Sequence, residues 1–425
     1  MKKKILKILL ENNVIADKEA LNFIISKRDP ILYLNEILSK KKLPLFLSLQ
    51  ELQKIEKKKV EKIKYFEKKI QKKDEKKIIN NINILKDITA ESTTEGKIED
   101  FKKYFNDRYI TLKKFVKRKP EMIGSIPISA VKMHSREEII KIIGIVSLKR
   151  KTQKGNIMLE LEDENEKITC FISSNSDAFS ENILVDEIIG AIGKKATFSN
   201  QRDQYFLSIE KIARPEIPTQ RKVNKSQISE YVAFISDIHI GSSTFLKEYW
   251  KKFLNWLNEK NEISKKIKYL IVVGDNVDGI GIYPNQEEEL DIFDIYTQYE
   301  ALAKEFEKIP DDINIILLPG NHDAIRPAEP QPALPEQIQE LFNSNILFVG
   351  NPCYFNINGV EILAYHGRSM DDYITHVKRL NYSNPIEIMK EMLKRRHLAT
   401  IYGARTPIAP EKKIIWLLIA YLTFL

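Results

Sequence analysis

A chain of 425 residues with 43% hydrophobic content can fill two or three real domain cores. Its formal charge of +9 is unevenly spread: residues 1–125 carry 32 Lys and Arg against 18 Asp and Glu, a net of +14, which leaves −5 on the other 300. Two widely separated cysteines, Cys170 and Cys353, exclude a disulfide framework or a Cys-based zinc finger and fit a reducing, cytoplasmic setting; the basic start Met1-Lys2-Lys3-Lys4 is cut off by Glu11 and Asn12-Asn13, so no secretion signal is expected.

In chain order, residues 1–60 read as a small helical region. Ala16-Asp17 precedes Ala20, Leu21, Phe23, Ile24 and Ile25 at helical spacing, and Asp29-Pro30 opens a second short helix. Residues 61–130 read as a Lys-rich helix and linker, from the run Lys57 to Lys77 through the polar Ala90-Glu91-Ser92-Thr93-Thr94-Glu95-Gly96. This basic stretch either meets phosphate backbones or an acidic partner, or merely keeps a linker solvated. Residues 131–216 change to strands: Ile139–Leu148, Asn156–Glu162, Lys167–Ile172, Lys195–Phe198 and Tyr205–Ile212. Five short strands with polar turns predict a small β-barrel, and the five-stranded barrel that binds oligonucleotides is the OB-fold. Pro215, Pro218 and the polar residues that follow make 217–230 a second linker.

From residue 231 onward strands and helices alternate, so the chain as a whole is predicted to be a multidomain α/β (α+β) protein. Tyr231–Ser236, Lys268–Val273, Ile313–Leu318 and Glu361–Tyr365 are strand runs. Leu246, Trp250, Phe253, Leu254 and Leu257 make the stripe of an amphipathic helix, and Tyr296–Lys308 is a second helix. Each strand run leads into polar chemistry. The first meets Asp237-Ile238-His239, the second Gly274-Asp275-Asn276-Val277-Asp278, the third Gly320-Asn321-His322-Asp323, and the fourth His366-Gly367-Arg368. Ligand sites in open α/β folds gather at the carboxyl ends of strands, so these residues are expected to converge. A single loop histidine is more often structural than functional, but three of the six histidines fall at these positions. Carboxylate, imidazole and amide oxygen together suit divalent ions such as Mn²⁺, Mg²⁺, Fe²⁺ or Zn²⁺. A carboxylate bridging two ions would set them about 3.5–4 Å apart, as in-line phosphoryl displacement requires.

Asp-x-His, Gly-Asp-x-x-Asp, Gly-Asn-His-Asp and an isolated His-Gly occur in order, and this region resembles the calcineurin-like metallophosphoesterase superfamily. The resemblance implies a β-sandwich flanked by helices over residues 231–425 and two divalent metal ions, with Mn²⁺ favoured. It implies that Asp237 and His239 bind the first ion, that Asp275 bridges, and that Asn321 and His366 bind the second. It also implies that His322 is the general acid and that Asp323 orients it. Ser236–Ser242, Tyr365–Asp372, Arg396-His397-Leu398-Ala399, Tyr402-Gly403 and Arg405–Glu411 are similar, more narrowly, to the small subunit of archaeal family D DNA polymerases. That family implies an OB-fold before the phosphoesterase domain, 3′→5′ exonuclease action on single-stranded DNA or a primer 3′ end, and a large catalytic subunit as partner.

One motif of the superfamily, Gly-His-x-His, is absent from the sequence, and residues 414–425 are almost wholly apolar. That tail is too short for a membrane helix, which takes about 20 residues, and it resembles out-of-frame translation or a premature stop; the phosphoesterase domain is therefore expected to lack its C-terminal part and to be a poor nuclease. His376 and His397 are expected to be structural rather than substitute ligands. Two other functions compete: a non-catalytic scaffold of the polymerase, and a general metallophosphatase, which leaves the barrel unexplained.

Overall fold

The computed structural model describes residues 2–12, 14–27, 30–38, 46–50, 52–53, 81–198, 201–217, 224–342 and 345–411. The Lys-rich run 57–77 and the apolar tail 414–425 lie outside the described residues, as do positions 218–223 of the expected second linker. The chain divides into two units, Met1–Ile78 and Ile79–Leu425.

The first unit holds the helices Lys2–Glu11, Lys18–Ile25 and Pro30–Leu38, with a two-residue parallel pair of β1 (Ile15–Ala16) and β2 (Phe46–Leu47). Asp17 caps the second helix, its carboxylate accepting from Ala20 N at 2.6 Å. Ile5, Leu9, Leu21, Ile24, Leu34 and Ile37 fill its core.

In the second unit, β4 (Ile139–Lys151), β5 (Ile157–Glu162), β6 (Lys167–Ile172), β7 (Ile188–Phe198) and β8 (Gln201–Ala213) form a closed barrel in the order β4-β5-β6-β8-β7. Only the β6–β8 pairing is parallel, through Cys170↔Leu207 and Phe171↔Ser208. Strand alternation buries Ile140, Ile142, Leu159, Leu161, Ile168 and Ile209 inside. β7 starts seven residues earlier than its Lys-rich end predicts. Gly193 in this strand lies so close to β8 that a Cβ would meet Ser208 O at 1.9 Å.

The remainder is a sandwich of two sheets. One is parallel, β12-β11-β10-β9, made of β9 (Tyr231–Ile235), β10 (Ile267–Val273), β11 (Asn314–Leu318) and β12 (Ile346–Phe348). The other is antiparallel, β14-β13-β3, made of β3 (Ile82–Lys86), β13 (Cys353–Ile357) and β14 (Val360–Ala364). Tyr269, Ile271, Ile316 and Leu318 meet Phe355, Ile357 and Ala364 between the sheets. On the other face of the parallel sheet, the helices Lys247–Asn258 and Ile295–Phe306 contribute Trp250, Leu254, Tyr299, Leu302 and Phe306 to a second core.

The linker expected before residue 130 is corrected by this arrangement. Residues 82–86 alternate Ile82 and Ile84 toward the sandwich, and Ile98–Lys117 is a 20-residue helix. The helix packs Tyr109, Leu112 and Val116 against Ile143, Ile188 and Ile192 of the barrel. The polar segment between them is tied down as well: Ser92 Oγ and Thr93 N donate to Glu411 at 2.5 and 3.0 Å. Among the described residues, no helix is long and apolar enough to cross a membrane.

Candidate metal centre

The parallel sheet brings three of the four motif loops side by side at its carboxyl edge, and β14 of the second sheet delivers the fourth. The first two loops are stitched together beyond the ends of β9 and β10: Asp237 N donates to Gly274 O, His239 N to Asp275 O, and Asp278 N to Ile240 O. This forces left-handed backbone on Asp237 (φ 55°), His239 (φ 51°) and Asp275 (φ 50°). Non-glycine residues pay a steric penalty there, and strain of this kind concentrates at functional sites. Two glycines permit the close approach of the other loops. A Cβ on Gly274 would lie 2.6 Å from His366 Nδ1, and one on Gly320 would lie 2.3 Å from Asp275 Oδ1.

Asp275 is at the middle, its side chain 6% exposed. One of its oxygens, Oδ1, lies 3.4 Å from His366 Nε2 and accepts the backbone N–H of His322 at 2.9 Å. The other, Oδ2, lies 3.7 Å from His239 Nε2 and 3.9 Å from His322 Nε2. Asp237, on the rim with its side chain 56% exposed, stands 4.0 Å from His239 Nε2. Two donors that share an ion at about 2.0–2.2 Å lie no more than about 4.4 Å apart, so these separations fit shared cations. Donor atoms of Asp237, Asp275 and His366 form one cluster, and those of His239, Asp278 and His322 another. Asn321 lines the same cleft as the first cluster.

The far nitrogen of every imidazole is fixed. His366 Nδ1 faces Val273 O at 2.9 Å, His322 Nδ1 faces Asp278 O at 2.7 Å, and His239 Nδ1 faces Asp278 Oδ1 at 3.0 Å. Hydrogen bonding at Nδ1 leaves Nε2 as the free donor atom, the usual device for orienting ligating histidines. Asp278 thus holds two rings at once, and Gln286 Nε2 anchors it with 2.8 Å bonds to its carbonyl and Oδ2. Because its Oδ1 is already committed to His239, we read Asp278 as support for the donors. Burial pushes Asp275 upward, but His366 and His322 outweigh burial and hold the carboxyl below its ordinary value. Burial likewise opposes charge on His366, yet Asp275 lifts it to about 9.

Asp323 does not orient His322, contrary to the sequence-based expectation. Its carboxylate turns inward, 4% exposed, and accepts from Gly320 N at 2.8 Å, Asn276 Nδ2 at 2.9 Å and Tyr299 Oη at 2.7 Å. It therefore fixes the turn that presents Asn321 and His322. His376 and His397 join neither donor cluster; His376 Nδ1 bonds to Asp372 O, and buried His397 accepts from Ala399 N. Sequence reading passed over Asp278 as a support, although it is the second carboxylate of the Gly-Asp-x-x-Asp motif. Gln286, Tyr299 and Asn276 carry no signal outside the fold.

Residues 232–415, the stretch that carries all four loops, match the family of DNA polymerase alpha/epsilon B subunits. The DNA polymerase II small subunit of Methanothermobacter thermautotrophicus is 41% identical over 342 residues, covering 78% of this chain and 68% of that protein. The chain belongs to the small-subunit family of archaeal DNA polymerase II, the family D enzymes. Other small subunits of this family, from Methanocaldococcus jannaschii and Archaeoglobus fulgidus, are 44% and 39% identical, over 77% and 78% of this chain. The chain spans 56% and 66% of their respective lengths.

Proposed function

We propose that this small-subunit relative carries a two-metal phosphodiesterase centre that removes nucleotides from DNA 3′ ends, and that it supports synthesis by a separate large polymerase subunit. The observation that carries the reading is the buried carboxylate of Asp275, with both oxygens faced by the Nε2 atoms of three fixed histidines. In this reading Asp237, His239 and Asp275 would hold one divalent cation, and Asp275, Asn321 and His366 the other, with Mn²⁺ favoured over Mg²⁺. When bound, such a pair neutralises charge on the phosphate and lowers the pKa of a water. His322 keeps Nε2 toward the centre while Asp278 O holds its Nδ1, so its imidazolium form can pass a proton to a leaving oxygen. Asp323 and Tyr299 keep that loop rigid.

The two-sheet sandwich with outer helices supports a calcineurin-like assignment of residues 231–411. The barrel order, in which the third strand pairs parallel with the fifth, supports an OB-fold. An OB-fold beside a nuclease centre suits single-stranded DNA as substrate, in the cytoplasm. A scaffold that does not hydrolyse DNA is the second reading, since the relatives are named as polymerase subunits.

One assay separates them. The protein is incubated with Mn²⁺ and a single-stranded oligonucleotide labelled at its 5′ end, and the products are sized. A ladder shortening from the 3′ end, lost in His322→Ala and in Asp275→Asn, is the expected result. An intact oligonucleotide alongside retained binding to the large subunit would leave only the scaffold.

A further inference from the structure

The cleft on the His366 side of the centre has a volume of about 350 Å³ and is lined by Asp237, Asp275, Asn321 and His366 together with Arg368 and Arg405. The two arginines come from distant parts of the sequence. Arg368 follows His366 by two residues, and Arg405 sits in the loop after the helix Pro385–Arg395. A buried carboxylate joins them: Asp372, 3% exposed, accepts from Arg405 N at 2.9 Å and Thr406 N at 3.2 Å. Asp372 belongs to the helix Met370–His376 that starts just after Arg368, so one short helix places both side chains on one wall.

Neither guanidinium makes a side-chain hydrogen bond or an ion pair among the described residues, and Arg368 Nε is buried without a partner. The other arginines near the middle of this unit are used internally. Arg214 and Arg395 pair with Glu187, Arg396 bonds to Pro215 O, and Arg326 pairs with Glu411. Two guanidinium forks without a bonded partner thus line the same cleft as the candidate donors, with Asp371 also on its wall, and a guanidinium fork matches the geometry of a phosphate.

We propose that Arg368 and Arg405 form a phosphate clamp that grips the DNA backbone next to the bond being cut. The inference rests on the metal-centre reading and extends it, because it assigns the strand's path: the backbone leaves the centre along the His366 side. The clamp positions the substrate and does not exchange protons with it.

The test uses the whole chain and a 5′-fluorescein single-stranded oligonucleotide, with affinity measured by anisotropy across a salt series in EDTA. Arg405→Ala alters an exposed side chain and Arg368→Gln keeps the size of a polar group; circular dichroism checks the fold of each. Each is expected to weaken binding about tenfold and to lower the slope of log K against log salt by about one. Arg405→Lys should recover the slope but only part of the affinity. An oligonucleotide with one neutral methylphosphonate near its 3′ end should bind the parent chain more weakly and lose its sensitivity to Arg405→Ala. Unchanged affinity and slope in both variants would overturn the clamp. Calorimetry of Mn²⁺ with the parent chain tests the underlying reading separately. No Mn²⁺ uptake with arginine-dependent binding intact would sink the metal centre and keep the clamp, whereas Mn²⁺ uptake with arginine-independent binding would do the reverse.

Discussion

Asp278 and Asp323 are both aspartates close to histidines in the sequence, but the fold gives them opposite work. Asp278 faces the centre and fixes His239 through a 3.0 Å bond. Replacing it with alanine frees that ring while His322 keeps its backbone partner, so Mn²⁺ affinity should fall by about 10–100-fold with little change in melting temperature. Titration calorimetry beside a thermal melt checks both halves of that statement. Asp323 is buried among four donors, two from the Asn276 peptide and side chain. Its replacement by alanine leaves those donors unsatisfied, costing roughly 1–3 kcal/mol for each that finds no new partner. Melting temperature and Mn²⁺ uptake should therefore drop together, whereas His322→Ala should remove cleavage and leave the melt unchanged. The sequence made the convergence of these side chains legible because each motif follows a strand run. It misassigned Asp323 because adjacency in a turn does not say which way a carboxylate points, and it passed over Asp278 because the bond that matters joins two different loops.

Elements were legible where a period showed through the composition. The parallel strands β9, β10 and β11 and the helices Lys247–Asn258 and Ile295–Phe306 fall within about two residues of their apolar patterns, whereas the three-residue β12 was not predicted. The helix Ile98–Lys117 did not show through. Its buried face runs Tyr104, Arg108, Leu112 and Val116, and the arginine interrupts the stripe in a lysine-rich background. Arg108 is fully buried and donates to Thr400 O at 2.8 Å, a reason for its position that no hydropathy pattern contains. A second buried cluster joins the barrel to the helix Pro385–Arg395: Glu187, 1% exposed, pairs with Arg214 at 3.2 Å and Arg395 at 2.6 Å. Burial pushes the Glu187 carboxyl up, but the two guanidiniums outweigh it and hold it below its ordinary value. The folded form therefore binds its proton less readily than the unfolded chain. The stability this contributes is complete above the unfolded carboxylate pKa, about 4.3, and drains away as pH falls through the lower folded value. Glu187→Gln should cost about 1–3 kcal/mol at neutral pH, since it removes charged hydrogen bonds while Arg214 keeps Glu181 and Arg395 keeps Glu391. Its melting temperature should also fall less steeply than the parent's between pH 5 and pH 3 in a series of thermal melts.

At the scale of the molecule, the division after Ile78 and the ties within residues 79–425 make a clear expectation. A fragment starting at residue 79 should melt in one cooperative transition, because Glu187 with Arg395 and Arg396 with Pro215 bond the barrel to the sandwich. Two separated calorimetric peaks from that fragment would contradict it. The barrel strands and the alternating strands and helices after them were readable from changes in pattern along the chain, but the packing of residues 81–117 with them was not. Their partners lie far downstream, and a single strand such as β3 has too few residues to declare which sheet it joins.

That strand also dictates an order of events at the ribosome. β3 leaves the tunnel about 270 residues before Tyr354 to Ile357, the residues that pair with it. At 5–20 residues per second the wait is roughly fifteen to fifty seconds. The barrel, by contrast, is complete in sequence at Ala213 and closes through nearby pairings, so it is free to fold while the sandwich is still missing strands. Residues 82–86 thus spend synthesis as an unpaired, half-apolar edge, and the long helix that follows them anchors that waiting segment to an already finished barrel.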